Sequence, residues 1–459
     1  MSKIKKQYVC SECGGSHPQW QGQCPHCEVW NTMSENIVEK IQSGGRSRNW
    51  AGEAGVSVTS LARVPAGAGV GRIISGSSEF DRVLGGGIAV GGVTLLGGDP
   101  GIGKSTLLLQ TLAGIGKTHK VLYVSGEESL QQVAGRANRL GLDPEPIHAI
   151  AEVQLEKILA TMANNSPRVV VIDSIQTVYS ETLSSAPGSV AQVRECAAQL
   201  TQMAKRQDIS ILLVGHVTKD GSLAGPRVLE HMVDAVLHFE GDPQSPYRLI
   251  RALKNRFGAV NELGAFEMTE MGLKSVDNPS SMFLSLDRKA SLGSCVFILQ
   301  EGPRPMLIEI QSLVDDSPLG NPRRLAVGVD GNRLAMLLAI LHKHAGLSCA
   351  DQDVFVNAVG GARAIETACD LPMCLSLISS LRNKAVPEDV ACFGEVGLNG
   401  EVRPVQRSED RVREAAKQGF KRIMLPWRNL PAKMPPGVDV RGVRDLSETF
   451  SLIKEWETS

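Results

Sequence analysis

One short stretch constrains this chain more than its length or composition does: Gly98-Asp99-Pro100-Gly101-Ile102-Gly103-Lys104-Ser105, followed by Thr106. Ahead of it, Val93-Thr94-Leu95-Leu96 is apolar and β-branched, as a buried strand requires. Behind it, Leu107 to Ile115 has the residue types of a helix. A glycine-rich turn between strand and helix lets backbone N–H groups converge on phosphate oxygens, and the helix N-terminus adds partial positive charge. Lys104 is then placed to reach the β and γ phosphates of ATP, and Ser105 to put its hydroxyl on Mg2+. A loop of this kind belongs at the edge of a parallel α/β sheet, which needs strands alternating with helices. Further strands are expected at Val121-Leu122-Tyr123-Val124, Val169 to Ile172, Ile209 to Val214 and Val233 to Phe239.

Several polar residues fall at the ends of those strands. Asp173 follows four apolar residues and is expected to hold Mg2+ through water. Hydrolysis also needs a group that orients or deprotonates the attacking water. In Ser125-Gly126-Glu127-Glu128-Ser129, Glu127 is the candidate base and Glu128 the fallback; the alternative is that the pair caps the next helix. His216, in Gly215-His216-Val217-Thr218-Lys219, is a candidate γ-phosphate sensor. The loop from Lys219 to Arg227 suits either a channel for single-stranded nucleic acid or a plain surface loop. Between Gln244 and Val260 stand four cations and no acid: Arg248, Arg251, Lys254 and Arg256. Within them, Lys254-Asn255-Arg256-Phe257-Gly258 suits either a finger acting on a neighbour's ATP or a grip on nucleic-acid phosphates.

The N-terminus carries a different chemistry. Four of the ten cysteines lie in the first 27 residues as Cys10-Ser-Glu-Cys13 and Cys24-Pro-His-Cys27. Two CxxC knuckles at this spacing can close a tetrahedron around Zn2+, with the metal supplying folding energy to a segment too short for a core. Gly14, Gly15 and Gly22 permit the turns, and His17 and His26 are possible substitute ligands. Trp20 and Trp30 are candidate contact residues or a cover over the metal site. The remaining cysteines, Cys196, Cys295, Cys349, Cys369, Cys374 and Cys392, read as small buried hydrophobes in a reducing cytosol. Ser43-Gly44-Gly45-Arg46-Ser47-Arg48 reads as a flexible linker.

Length and charge then bound the whole. At 459 residues, two to four domains are expected. The balance of 48 basic against 49 acidic residues gives no global sign of nucleic-acid binding, so any such site must be local. No apolar run is long enough to cross a membrane, and Met1 to Lys6 is followed by no secretory segment, so a cytoplasmic protein is expected.

In this order the CxxC ribbon, the Gly98–Ser105 loop and the Lys254–Gly258 pentad resemble the bacterial RadA (Sms) family across essentially the whole chain. The pentad is that family's signature. The resemblance implies a RecA-like P-loop ATPase core related to hexameric helicases, in which ATP sits between subunits of a ring or filament. Glu127 matches the catalytic glutamate, and Lys254 and Arg256 match cations that act across the subunit interface. It further implies DNA repair: processing of branched recombination intermediates by branch migration or unwinding along single-stranded DNA, with RecA as partner and a hexameric ring as the assembly.

The last third resembles the proteolytic domain of Lon, notably from Pro387-Glu388-Asp389-Val390-Ala391 through Gly394-Glu395-Val396-Gly397 to Glu401-Val402. Lon chemistry needs a Ser nucleophile and a Lys base. The matching positions here hold Ala368 and Glu409, so the fold is expected without the peptidase. From Arg403 to Arg422 seven basic residues stand against three acidic, suggesting a DNA-contact face. The expected architecture is therefore α/β: a zinc ribbon over 1–30, a linker over 31–65, a RecA-like core over 66–275 and an α+β Lon-like scaffold over 285–459. An ATP-dependent protease and a signalling or clock-type ATPase without DNA are the rival functions. The stretch from Ser75 to Asp81, with Leu84-Gly85-Gly86-Gly87, occurs in the latter as well.

Overall fold

The computed structural model describes residues 5–10, 16–17, 19–38, 71–217, 223–224, 228–241, 245–284, 289–317 and 322–458. It divides into two compact units, Met1–Ser275 and Val276–Ser459. The first unit begins with three antiparallel strands, β1 (Lys5–Cys10), β2 (Ser16–His17) and β3 (Met33–Val38), in the order β2-β1-β3. Cys10 pairs with Met33 and Lys5 with Val38, so the residues just after the knuckles form a strand where a linker was expected. The Ser43–Arg48 segment lies outside the described residues.

The core of this unit is a nine-stranded sheet. Its parallel part consists of β4 (Val93–Gly98), β5 (Val121–Ser125), β6 (Ile147–Ala151), β7 (Val169–Asp173), β8 (Ser210–Val214) and β9 (Ala235–Glu240), ordered β9-β4-β8-β7-β5-β6. Three antiparallel strands, β10 (Tyr247–Asn255), β11 (Leu263–Thr269) and β12 (Gly272–Ser275), continue it beyond β9. The central strands are continuous apolar runs because helices cover both faces. Alternate residues feed opposite layers: Val169 and Val171 pack in one cluster with Leu108 and Leu112, and Val170 and Ile172 in the other with Cys196 and Leu200. Parallel strands bring their carboxyl ends to one edge, where open α/β sheets bind ligands. Gly98, Ser125, Asp173 and Val214 end four of these strands.

The second unit is a seven-stranded mixed sheet, ordered Arg324–Val327, Gln352–Ala358, Arg304–Asp316, Ser294–Glu301, Val390–Cys392, Arg422–Pro426 and Asp439–Val443. Helices Gly331–Ala345, Asp370–Arg382, Ser408–Lys417 and Leu446–Thr458 accompany it. Mixed pairing gives the expected α+β character. All six cysteines outside the ribbon are buried, as small hydrophobes should be, and burial pushes the Cys196 thiol up to about 12. Among the described residues no helix is long and apolar enough to cross a membrane.

Candidate nucleotide site and metal centre

The phosphate loop leaves β4 at Gly98 and enters α1 (Lys104–Gly116) through Gly103. Both glycines are required by conformation and space. Gly98 has φ +155, and a Cβ there would meet Phe239 at 2.8 Å; Gly103 has φ +118, and a Cβ would meet Met268 at 2.7 Å. Gly103 caps α1 without a side-chain hydrogen bond, so the first helical N–H groups are left to the loop. Asp99, Pro100 and Gly101 form the exposed crest, Ile102 anchors it from beneath, and Ser105 and Thr106 are half-buried at the helix start. Lys104 is buried, and its Nζ donates to the carbonyls of Gly98 at 2.7 Å and Asp99 at 2.8 Å. Desolvation lowers its pKa, while the charges of Asp173, Asp99 and Glu127 oppose that shift. One ammonium thus sits in the field of three carboxylates at the carboxyl edge of the sheet.

Two of those carboxylates are held by donors that the sequence reading passed over. β5 and β7 run side by side in parallel, with Ser125 opposite Asp173 and Tyr123 opposite Val171. From that register the Tyr123 hydroxyl donates to Asp173 Oδ2. Burial, then the Asp173 charge, pushes the Tyr123 phenol well above its ordinary pKa. Ser174, next along the chain, donates from Oγ to Glu127 Oε1 at 2.5 Å. The turn between them is closed by Gly126, whose N–H donates to the Asp173 carbonyl at 2.7 Å. A Cβ on Gly126 would come within 2.0 Å of Thr177 Oγ1. Glu128 points elsewhere and forms an ion pair with Arg136. Neither glutamate caps the following helix, Leu130–Arg139; Ser129 and Gln132 do so as a capping box. The only sequence signal for Tyr123 and Ser174 is a polar group at a buried strand position and at a strand end.

His216 and Val217 pair antiparallel with Leu223 and Ala224. The His216 side chain and the other residues of the Lys219–Arg227 stretch lie outside the described residues.

The pentad does not join the phosphate loop of its own chain. Lys254 Nζ donates to the carbonyls of Glu230 at 2.6 Å and Val233 at 2.8 Å, and desolvation lowers its pKa. Arg256 donates to Asp234 Oδ1 at 3.1 Å. Asp234 in turn accepts from the N–H of Val93, the first residue of β4. Lys254 and Arg256 therefore lie toward the amino edge of the sheet, five residues of strand from Gly98, or roughly 17 Å at the usual rise. Asn255 and Gly258 are packing residues. Asn255 Nδ2 reaches the Val83 carbonyl at 3.3 Å, and a Cβ on Gly258 would meet Gly85 Cα at 2.8 Å. Arg72 donates to the Phe257 carbonyl and lies over its ring, 5.7 Å from the centroid. The other two cations of the cluster are used internally: Arg248 is buried against the Ser245 and Tyr247 carbonyls, and Arg251 pairs with Glu240 at 3.2 Å.

In the ribbon, the sulfurs of Cys10, Cys24 and Cys27 all lie within 4.8 Å of one another. Cys10 and Cys27 are 3.6 Å apart. Thiolates on a tetrahedral zinc stand about 3.8 Å apart, so three of the four expected ligands fit Zn2+. Cys13 lies outside the described residues. The N–H of His26 points at Cys24 Sγ over 3.4 Å, a contact that supports a thiolate. His17 instead bonds Gln19 through Nδ1 at 3.1 Å. Trp20 and Trp30 are 57% and 67% exposed, so they do not bury themselves over the metal site.

In the second unit, Ala368 is buried and its carbonyl accepts from the Gly394 N–H at 2.8 Å; Glu409 is exposed, 3.9 Å from Arg413. The Arg403–Arg422 surface is less cationic than its composition suggests. Arg411 is buried and pairs with Glu366 at 2.6 Å, Arg422 pairs with Asp389, and Arg403 pairs with Glu401 at 2.9 Å. Arg411 and Arg422 are structural, and a nucleic-acid face there would lack them.

Comparison with known proteins follows the same division. Residues 8–35 match the family model described as a rubredoxin metal binding domain, 63–222 an AAA domain, and 335–429 the ChlI subunit of Mg-chelatase. The chain is 53% identical over 455 residues to the DNA repair protein RadA of Pseudomonas aeruginosa, covering 99% of this chain and all of that one. It is 51% identical to the RadA of Escherichia coli and 47% to that of Bacillus subtilis, each match covering 98% of this chain and 99% of the relative.

Proposed function

The chain belongs to the RadA family of DNA repair proteins, and from that premise we propose that it is a DNA-dependent ATPase motor that processes branched recombination intermediates. Its core is a RecA-like ATP hydrolase that uses ATP and Mg2+, and its ribbon is a zinc site. The observation that carries the proposal is the convergence of buried Lys104 with Asp173 and Glu127 at the carboxyl edge, each carboxylate already oriented by its own donor.

The residues divide the work as follows. Backbone amides from Gly98 to Thr106 cradle the phosphates. Lys104 exchanges its loop carbonyls for β and γ phosphate oxygens, which are stronger acceptors for an ammonium. Ser105 and Asp173 would hold Mg2+, which would neutralise charge on the phosphates. Glu127 orients the attacking water and accepts its proton, whereas Glu128 is committed to Arg136. Lys254 and Arg256, turned away from their own loop, serve the ATP of an adjacent copy, which favours a closed ring, with a hexamer as the assembly. His216 senses the γ-phosphate.

Along the chain, 1–30 is the ribbon, 66–275 the motor and 285–459 a scaffold with a DNA-contact surface. The scaffold has no peptidase activity, because neither Ala368 nor Glu409 supplies the chemistry of a Ser/Lys dyad. Single-stranded and branched DNA are the substrates, RecA the partner and the cytoplasm the compartment.

Strand separation on fluorescently labelled branched DNA tests the proposal. ATP should drive it with the native chain and not with Lys104→Ala. No separation by the native chain on any branched substrate, or full separation by the variant, would overturn it.

A further inference from the structure

Tyr123 is 1% exposed, at a position where phenylalanine would fill the same space. A phenolic hydroxyl taken into a core without a partner costs free energy, so its presence points to the bond it makes. That partner is Asp173 Oδ2, on the neighbouring strand. An ionised carboxylate only accepts, so the phenol is the donor. The terminal torsion of an aspartate side chain is broad, and a donor fixed in the core removes that freedom. The anchor is rigid: Tyr123 lies mid-strand between Leu122 and Val124, in a β5 buried throughout and paired on both sides, with β6 and β7. The Asp173 carboxylate set by this bond also acts on Lys104.

We propose that Tyr123 is a positioning residue for nucleotide hydrolysis, holding the Asp173 carboxylate in the orientation that receives the nucleotide's Mg2+. The proposal rests on Asp173 being the residue that faces that ion. Removing a partner that orients a metal-facing carboxylate weakens metal binding by about tenfold or more. Tyr123→Phe should therefore leave the affinity for a fluorescent ADP analogue unchanged in EDTA. It should also raise the Mg2+ concentration that half-saturates the Mg2+-dependent gain in that affinity by about tenfold. A purely packing role would leave the Mg2+ titration where it is, and that result would overturn the proposal.

Asp173→Asn is the companion variant. If it abolishes the Mg2+-dependent gain while Tyr123→Phe titrates as the native protein does, positioning fails and the site assignment stands. If Asp173→Asn binds Mg2+·ADP normally, the assignment fails and the proposal with it. Should Tyr123→Phe not fold, the native chain carrying 3-fluorotyrosine at position 123 replaces it. Its fluorine resonance should move when Mg2+ is added to the ADP complex and not when ADP is added alone. A resonance indifferent to Mg2+ would overturn the proposal.

Discussion

At the scale of single residues, the site is organised by hydrogen bonds from neutral side chains to charged ones. Ser174 is fully buried and donates to Glu127, so the candidate base has its direction set before any nucleotide arrives. Ser174→Ala removes one oxygen from that arrangement and leaves the phosphate loop alone. The expected result is a fall in kcat of about tenfold with KM for ATP within about twofold, measured in steady state. A rise in KM with kcat unchanged would instead assign Ser174 to nucleotide binding. Lys104 and Ser105 stand out in the sequence as candidates because a motif with fixed spacing carries them, and Asp173 because it closes an apolar strand. The sequence does not show Tyr123 or Ser174 as site residues, because their roles come from the register of β5 against β7. That register joins positions about fifty residues apart, Tyr123 to Asp173.

At the scale of elements, apolar runs locate the parallel strands within about two residues, since buried parallel strands carry side chains of one kind on both faces. The edge strand β6, Ile147-His-Ala-Ile-Ala151, escapes that criterion because its residues are partly exposed. The charge clusters are the least legible. Composition counts Arg248, Arg251, Arg411 and Arg422 as free cations, whereas the fold spends them on carbonyls and carboxylates. In the ribbon, CxxC spacing anticipates the grouping of Cys10, Cys24 and Cys27. Cys24→Ser should lower bound zinc well below one ion per chain by elemental analysis and make β1–β3 sensitive to limited proteolysis. Full zinc content in that variant would remove Cys24 from the ligand set.

At the scale of the whole molecule, the two halves of the proposed catalytic apparatus lie toward opposite edges of one sheet. Lys254 and Arg256 bond near the start of β4, and the phosphate loop leaves its end. For both to serve one ATP they must come from two chains, as the proposed oligomer would provide. Lys104→Ala and Arg256→Ala subunits, each inactive alone, should regain a fraction of native ATP turnover when mixed, because some interfaces pair an intact loop with an intact finger. A mixture as inactive as its parts would place both residues in one site. The near-zero net charge, −1 overall, limits nonspecific adhesion. DNA-dependent ATP turnover is tested by steady-state ATP hydrolysis of the zinc-loaded chain, with and without single-stranded DNA. A several-fold rate increase on adding DNA, abolished in Lys104→Ala, is expected. Equal rates with and without DNA, in a protein that hydrolyses ATP, would contradict it.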